Sequence, residues 1–203
     1  MGKLRIGVLA SHNGSNMVAV HEASLAPEAG FVVAVVISNN SSSGALAYAR
    51  EHDIPTGHLS GRTHPDPADL DDAIRAVLVE HDVDWVVTAG YMRKLGPVVR
   101  KEFSGRIINI HPSLLPLHGG HGMYGMRVHE AVLAAGDSVS GPTLHLVDEE
   151  YDTGAVLAQR EVPVLPEDTA DTLAARVLAA EHVLLPQEIA RIAAERHQRT
   201  SGE

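Results

Sequence analysis

Residues 106–116 read Arg106-Ile107-Ile108-Asn109-Ile110-His111-Pro112-Ser113-Leu114-Leu115-Pro116. An apolar run that stops at a proline is a short buried strand closed by a loop. Side chains alternate across a strand, so Asn109 and His111 share one face while Ile108 and Ile110 pack on the other. An amide and an imidazole side by side at a strand's C-terminal end can direct two donors at one oxygen, which is what stabilises the oxyanion of an acyl transfer. The same two residues can also form a satisfied polar pair that only shapes a turn. A second stretch bears on the choice. His145-Leu146-Val147-Asp148-Glu149-Glu150-Tyr151-Asp152-Thr153-Gly154 carries an apolar strand into an acidic loop closed by glycine. If Asp152 folds back on His111, its charge favours the imidazolium and brings a base for the proton that an attacking amine sheds. Otherwise residues 148–152 are a solvated acidic turn.

Working outward, the chain alternates strands and helices. Leu4, Ile6, Val8 and Leu9 belong to a strand over 3–10, followed by the turn Ser11-His12-Asn13-Gly14-Ser15-Asn16 and a helix over 16–26. A strand, a glycine-containing turn and a helix present backbone N–H groups to an anion; alternatively Ser15 or Asn16 merely caps the helix. Phe31 to Ser38 is an apolar run expected of a strand buried on both faces. A helix over 45–52, a short strand near 55–59 and a helix over 67–81 follow; Leu70, Ile74, Val77 and Leu78 form its apolar stripe and Asp66 its cap. The next strand, 84–89, delivers Gly90-Tyr91-Met92-Arg93-Lys94-Leu95 from its C-terminal end, where ligands of open α/β sheets gather.

Beyond the Asn109 strand lies the glycine-rich segment 117–125, either a lid beside the site or an idle connection, and then a helix over 126–135. The strand 142–147 puts Thr143 and His145 on one face. A last strand over 155–164 is expected to be antiparallel and near an edge, since Pro163 and Pro166 close it. The final helix, capped by Asp168 or Thr169, breaks or kinks near Pro186, and a disordered tail is expected over 198–203. The fold class is therefore α/β: one domain over 1–203, with a mainly parallel twisted sheet, helices on both faces and antiparallel C-terminal strands.

Composition narrows the functions. At 203 residues and 44% hydrophobic the chain can bury a sizeable core. A formal charge of −10 without a basic block argues against nucleic-acid binding. No apolar run approaches the ~18 residues a membrane span requires, and Met1-Gly2-Lys3 leads directly into a strand, so no signal peptide or anchor is expected. Cysteine is absent, which excludes disulfides and thiol catalysis and is compatible with a reducing cytoplasm. The thirteen histidines follow no metal-ligand spacing, and no metal is expected. Monomer and homodimer both stay open.

Four blocks in order, Asn13-Gly14-Ser15-Asn16, Ala89 to Leu95, Asn109 to Pro116 and Asp148 to Gly154, resemble the folate-dependent phosphoribosylglycinamide formyltransferase family over nearly the whole chain. The resemblance implies the Rossmann-like three-layer formyltransferase fold and transfer of a formyl group from 10-formyltetrahydrofolate to glycinamide ribonucleotide, a step of purine biosynthesis. It implies catalytic roles for Asn109, His111 and Asp152, and phosphate contacts from Gly14, Ser15 and Asn16. Glu181 would meet ribose hydroxyls. The folate would lie along Tyr91, Met92, Arg93, Lys94 and Leu95 and reach Asn109. His12 stands where many members have glycine, Leu178 where many have a glutamine near the phosphate, and segment 117–125 is longer and richer in glycine. His12 and Leu178 leave open a sister folate-dependent N-formyltransferase acting on another amine, such as an amino sugar; a folate-binding protein without turnover is the other alternative, and the intact set Asn109, His111 and Asp152 speaks against it.

Overall fold

The computed structural model describes residues 2–201, with side chains described through residue 198. In chain order the elements are β1 (Leu4–Leu9), α1 (Ser15–Ser24), β2 (Phe31–Ser38), α2 (Gly44–Glu51), β3 (Thr56–His58), α3 (Pro67–Glu80), β4 (Trp85–Thr88), α4 (Pro97–Glu102), β5 (Ile107–His111), α5 (Met126–Ala135), β6 (Val139–Ser140), β7 (Thr143–Leu146), β8 (Val156–Gln159), β9 (Val162–Pro163) and α6 (Ala170–Ser201). The main sheet has seven strands in the order β3-β2-β1-β4-β5-β7-β8, and β6 pairs with β9 separately. The chain forms two compact units, Met1–Ile107 with Ile189–Glu203, and Ile108–Glu188.

In the first unit β1 runs parallel to both β2 and β4, and β2 parallel to β3. The residues of β2 are apolar almost throughout because it is covered on both faces: Phe31, Val35, Val36 and Ile37 are fully buried. Parallel neighbours need a crossover, and α1, α2 and α3 supply it. α3 begins as expected, with Asp66 Oδ1 accepting from the Ala68 N–H at 2.8 Å. The buried Asp71 of α3 in turn caps α4, accepting from the amides of Val98 at 2.7 Å and Val99 at 3.2 Å. At the far end of the chain, Arg196 pairs with Asp84 next to β4.

The second unit is antiparallel. β7 pairs with β5, Asn109 opposite His145 and His111 opposite Thr143, and β8 pairs with β7 at the end of the sheet order. The expected single strand over 155–164 is two. A turn at Arg160, whose N–H bonds the Pro142 carbonyl, detaches β9, and Ser140 and Val139 pair with Val162 and Pro163 instead. Val162 thereby joins Val132, Leu173, Val177 and Ala180 in a local apolar cluster.

Of the two expected caps of the last helix, Thr169 makes the reciprocal one, exchanging amide-to-hydroxyl bonds with Thr172. Asp168 is instead held by a two-pronged pair with Arg176, which keeps its carboxyl far below the usual carboxylate range. The helix also continues through Pro186. It extends through Ser201 where a disordered tail was expected from 198; Gly202 and Glu203 lie outside the described residues.

Candidate active site

β5 ends by presenting Asn109 and His111 on the face opposite Ile108 and Ile110, as strand alternation requires. Thr143, facing His111 across the strand pair, fixes the loop that follows. Its hydroxyl donates to the Ser113 carbonyl at 2.6 Å and accepts from the Leu115 amide at 3.0 Å and from Gln159 Nε2 at 2.8 Å. The proline-bounded loop is therefore pinned from below by one buried threonine.

Asp152 folds back as the acidic-loop reading requires. Its Oδ2 lies 3.5 Å from His111 Nδ1 and accepts from the Gly120 N–H at 2.9 Å. Asp152 itself sits at φ 58, a conformation that aspartate tolerates better than most residues. Two residues later, a Cβ on Gly154 would stand 1.8 Å from the Leu146 carbonyl oxygen, so only glycine lets the acidic loop close against β7.

His111 is 4% exposed. Its Nε2 lies 2.8 Å from the His118 carbonyl, and since a carbonyl only accepts, Nε2 carries the hydrogen. The lone pair of the neutral ring is then on Nδ1, facing Asp152. Burial lowers the proton affinity of the ring more than Asp152 and the His118 carbonyl raise it, with His145 and His118 lowering it further. That direction runs against the expected imidazolium, while the acceptors beside both ring nitrogens, the His118 carbonyl at Nε2 and Asp152 at Nδ1, favour it. Asp152 is pushed up by burial, but the contact with His145, the charge of His111 and the Gly120 amide together hold its carboxyl below the usual range.

His145 is the residue that sequence reading placed on the right face without giving it a role. Only 2% exposed, it sets Nδ1 2.9 Å from the Leu146 carbonyl and Nε2 3.0 Å from the Asn109 amide nitrogen. The ring's hydrogen is thus on Nδ1, Nε2 accepts from Asn109, and the Asn109 amide is oriented. A proton added at Nε2 would face Asp152 Oδ1, 3.5 Å away. No local sequence signal gives this role, because it is the β5–β7 register that sets Asn109 opposite His145. His129 of α5 is another buried ring in this unit. Its charge is disfavoured first by burial and then by His111.

The remaining candidates lie on other segments of the chain. Gly14 is the N-cap of α1 at φ 75, where a Cβ would strike Ala45 at 2.6 Å, and α1 starts at Ser15 without a side-chain cap, contrary to a capping role for Ser15 or Asn16. His12 is exposed, has no left-handed φ, and accepts from the Ala45 amide through its carbonyl, so the turn closes without glycine there. Of the 91–95 segment, Met92 is 41% exposed while Leu95, at 5%, is part of the core. The Met92 amide is bonded to Ser11 Oγ at 2.8 Å, and burial pushes the Tyr91 phenol up to about 12. Glu181 is buried on α6, and Leu178 on the same helix is partly exposed. In the second unit the structure brings together Asn109, His111, Asp152 and His145.

The formyl transferase family model matches residues 4–189. A chloroplastic phosphoribosylglycinamide formyltransferase of Vigna unguiculata is 44% identical over 95% of this chain, which spans 62% of the length of that relative. The Haemophilus influenzae phosphoribosylglycinamide formyltransferase is 35% identical over 90% of this chain and 84% of its own. The crystal structure of the Brucella melitensis phosphoribosylglycinamide formyltransferase superposes with a TM-score of 0.87 at 41% identity, covering 95% of this chain and 96% of that one. By that family match and by its likeness to these proteins over most of its length, the chain belongs to the formyl transferase family, among its phosphoribosylglycinamide formyltransferases.

Proposed function

We propose that the protein transfers the formyl group of 10-formyltetrahydrofolate to the primary amine of glycinamide ribonucleotide, in purine biosynthesis, with the two compact units acting as one catalytic domain in the cytoplasm. What supports the reading most is a single feature: the Asp152 carboxylate beside His111 Nδ1, with Asn109 two residues away on the same strand face.

The amine attacks the formyl carbon as the free base, and the carbonyl electrons move onto oxygen, toward which Asn109 directs an amide hydrogen. His111 Nδ1 takes the proton that the new C–N bond makes acidic. The imidazolium so formed stands 3.5 Å from Asp152, which favours it. Collapse breaks the bond to the folate nitrogen, and the proton returns to that nitrogen. His145 keeps the Asn109 amide turned for this work.

Gly14, Ser15 and Asn16 take the substrate phosphate in this reading. The α1 N-terminus has no acidic residue in its first turn and no side-chain cap, as an anion site there requires. Glu181 takes the ribose hydroxyls. The folate lies along Tyr91 to Leu95, with exposed Met92 supplying apolar contact and Leu95 acting through its backbone.

The test is a single assay of purified protein with 10-formyltetrahydrofolate and either glycinamide ribonucleotide or an amino sugar, followed by mass spectrometry of the amine. Formylation of the ribonucleotide is expected. Formylation of the sugar alone, or binding of folate without any product, overturns the assignment.

A further inference from the structure

The segment 117–125 holds both partners of the proposed proton transfer from outside. Through the His118 carbonyl it accepts from His111 Nε2, and two residues on, through the Gly120 amide, it donates to Asp152 Oδ2. His118 achieves this at φ 52, a left-handed conformation that few non-glycine residues adopt and that persists only when its surroundings enforce it. The enforcing contact is on its side chain: His118 Nε2 lies 2.6 Å from Asp137 Oδ2. Asp137 is itself anchored. It follows Gly136, the C-cap of α5, and its amide bonds the Val132 carbonyl of a helix buried along Val128, His129 and Val132. Ser113 Oγ adds a second tie, donating to the Leu117 carbonyl at 2.6 Å.

Resting on the function proposed above, we infer that the Asp137–His118 pair is a positioning device for His111. Neither residue touches the reacting atoms. By holding the 118 carbonyl against Nε2, the pair keeps the hydrogen on that nitrogen and the lone pair on Nδ1, where the amine proton must arrive. The same carbonyl contributes to raising the proton affinity of His111 against the effect of burial. Without the pair, His118 relaxes from its left-handed conformation, His111 loses its fixed acceptor, and the ring samples both tautomers.

The experiment compares Asp137→Ala, His118→Ala, the double variant and Asp137→Glu with the parent, by steady-state kinetics per folded molecule and by the NMR nitrogen shifts of His111. Expected in both single variants is a kcat lowered about 10-fold to 100-fold with both KM values little changed. The double variant is expected to be no slower than the singles, and Asp137→Glu to recover much of the loss. The His111 ring should pass from the Nε2–H form to a tautomer mixture. Should Asp137→Ala not fold, His118→Ala, which probes the pair from the loop side, is read in the same way. A variant with the parent kcat and an unchanged Nε2–H tautomer overturns the inference. If the parent itself transfers no formyl group, the proposed function fails, while the tautomer measurement still decides whether the pair orients His111.

Discussion

His111 owes its tautomer to one backbone carbonyl and its proton affinity to two opposed effects, the burial that disfavours charge and the carboxylate that favours it. Because burial prevails, the acid limb of kcat/KM is expected below the ordinary histidine value of about 6.5: activity falls as pH drops through the His111 pKa and the base becomes protonated. Asp152→Asn removes an influence that raises this pKa, so the limb should move to lower pH and the plateau should also drop. A limb that stays in place in the variant would show that Asp152 does not act on this ring. Asn109→Ala tests a different role. Loss of one oxyanion donor should lower kcat by roughly a hundredfold to a thousandfold, with KM much less affected, in stopped assays on protein whose circular dichroism is unchanged. The pairing of Asn109 and His111 was legible in the sequence because strand alternation is local. The effect of burial on His111 was not, because desolvation depends on everything packed around the ring.

At the scale of elements, the helices tie themselves together through side chains distant in sequence. Asp71, buried on α3, serves as the cap of α4, and a Cβ at Gly96 would stand 2.2 Å from its carboxylate. Asp71→Ala leaves the amides of Val98 and Val99 without this acceptor, and should cost about 1–3 kcal/mol in urea unfolding, the range for an unsatisfied buried donor. A midpoint within error of the parent would mean that water or another group replaces the cap. Most elements were legible from pattern: β2 falls on its apolar run, α5 on the expected 126–135, and α3 starts after Asp66. The division of residues 155–164 into β8 and β9 was not, since both halves read as strand and only the partner, β7 or β6, separates them. Pro186 likewise suggested a break or kink, and the helix continues through it, with Leu184, Leu185 and Ile189 buried on either side.

For the whole molecule, acid sensitivity follows from its buried histidines. His21, beside Tyr48 at 3.0 Å, has its pKa lowered by burial first and then by His52, against a raising effect of Glu22. His111 and His129 are lowered as well, again chiefly by burial. Between those folded-state values and about 6.5, the unfolded chain binds protons that the folded chain does not. Stability therefore rises with pH across that window and is lost as pH falls through it. Asp152 behaves oppositely: its depressed pKa contributes stability above the unfolded carboxyl value, lost as pH falls through the folded one. Urea midpoints measured from neutral to acid pH should show a first decline below about 6.5 from the histidines, reduced in His21→Gln, and a second at lower pH that includes Asp152. A midpoint that does not change over the first window would contradict it.

The sequence alone determined the alternation of strands and helices, the polar pair at the end of β5 and the acidic loop that supplies Asp152, because periodicity, capping residues and proline act over a few residues. Tertiary structure alone decided which groups meet. His145 reaches Asn109 across 36 positions of chain through the β5–β7 register, His118 and Gly120 reach His111 and Asp152 through a folded glycine-rich turn, and burial sets the proton affinity of the resulting site. Register, turn closure and desolvation are properties of the packed chain, so no local pattern encodes them.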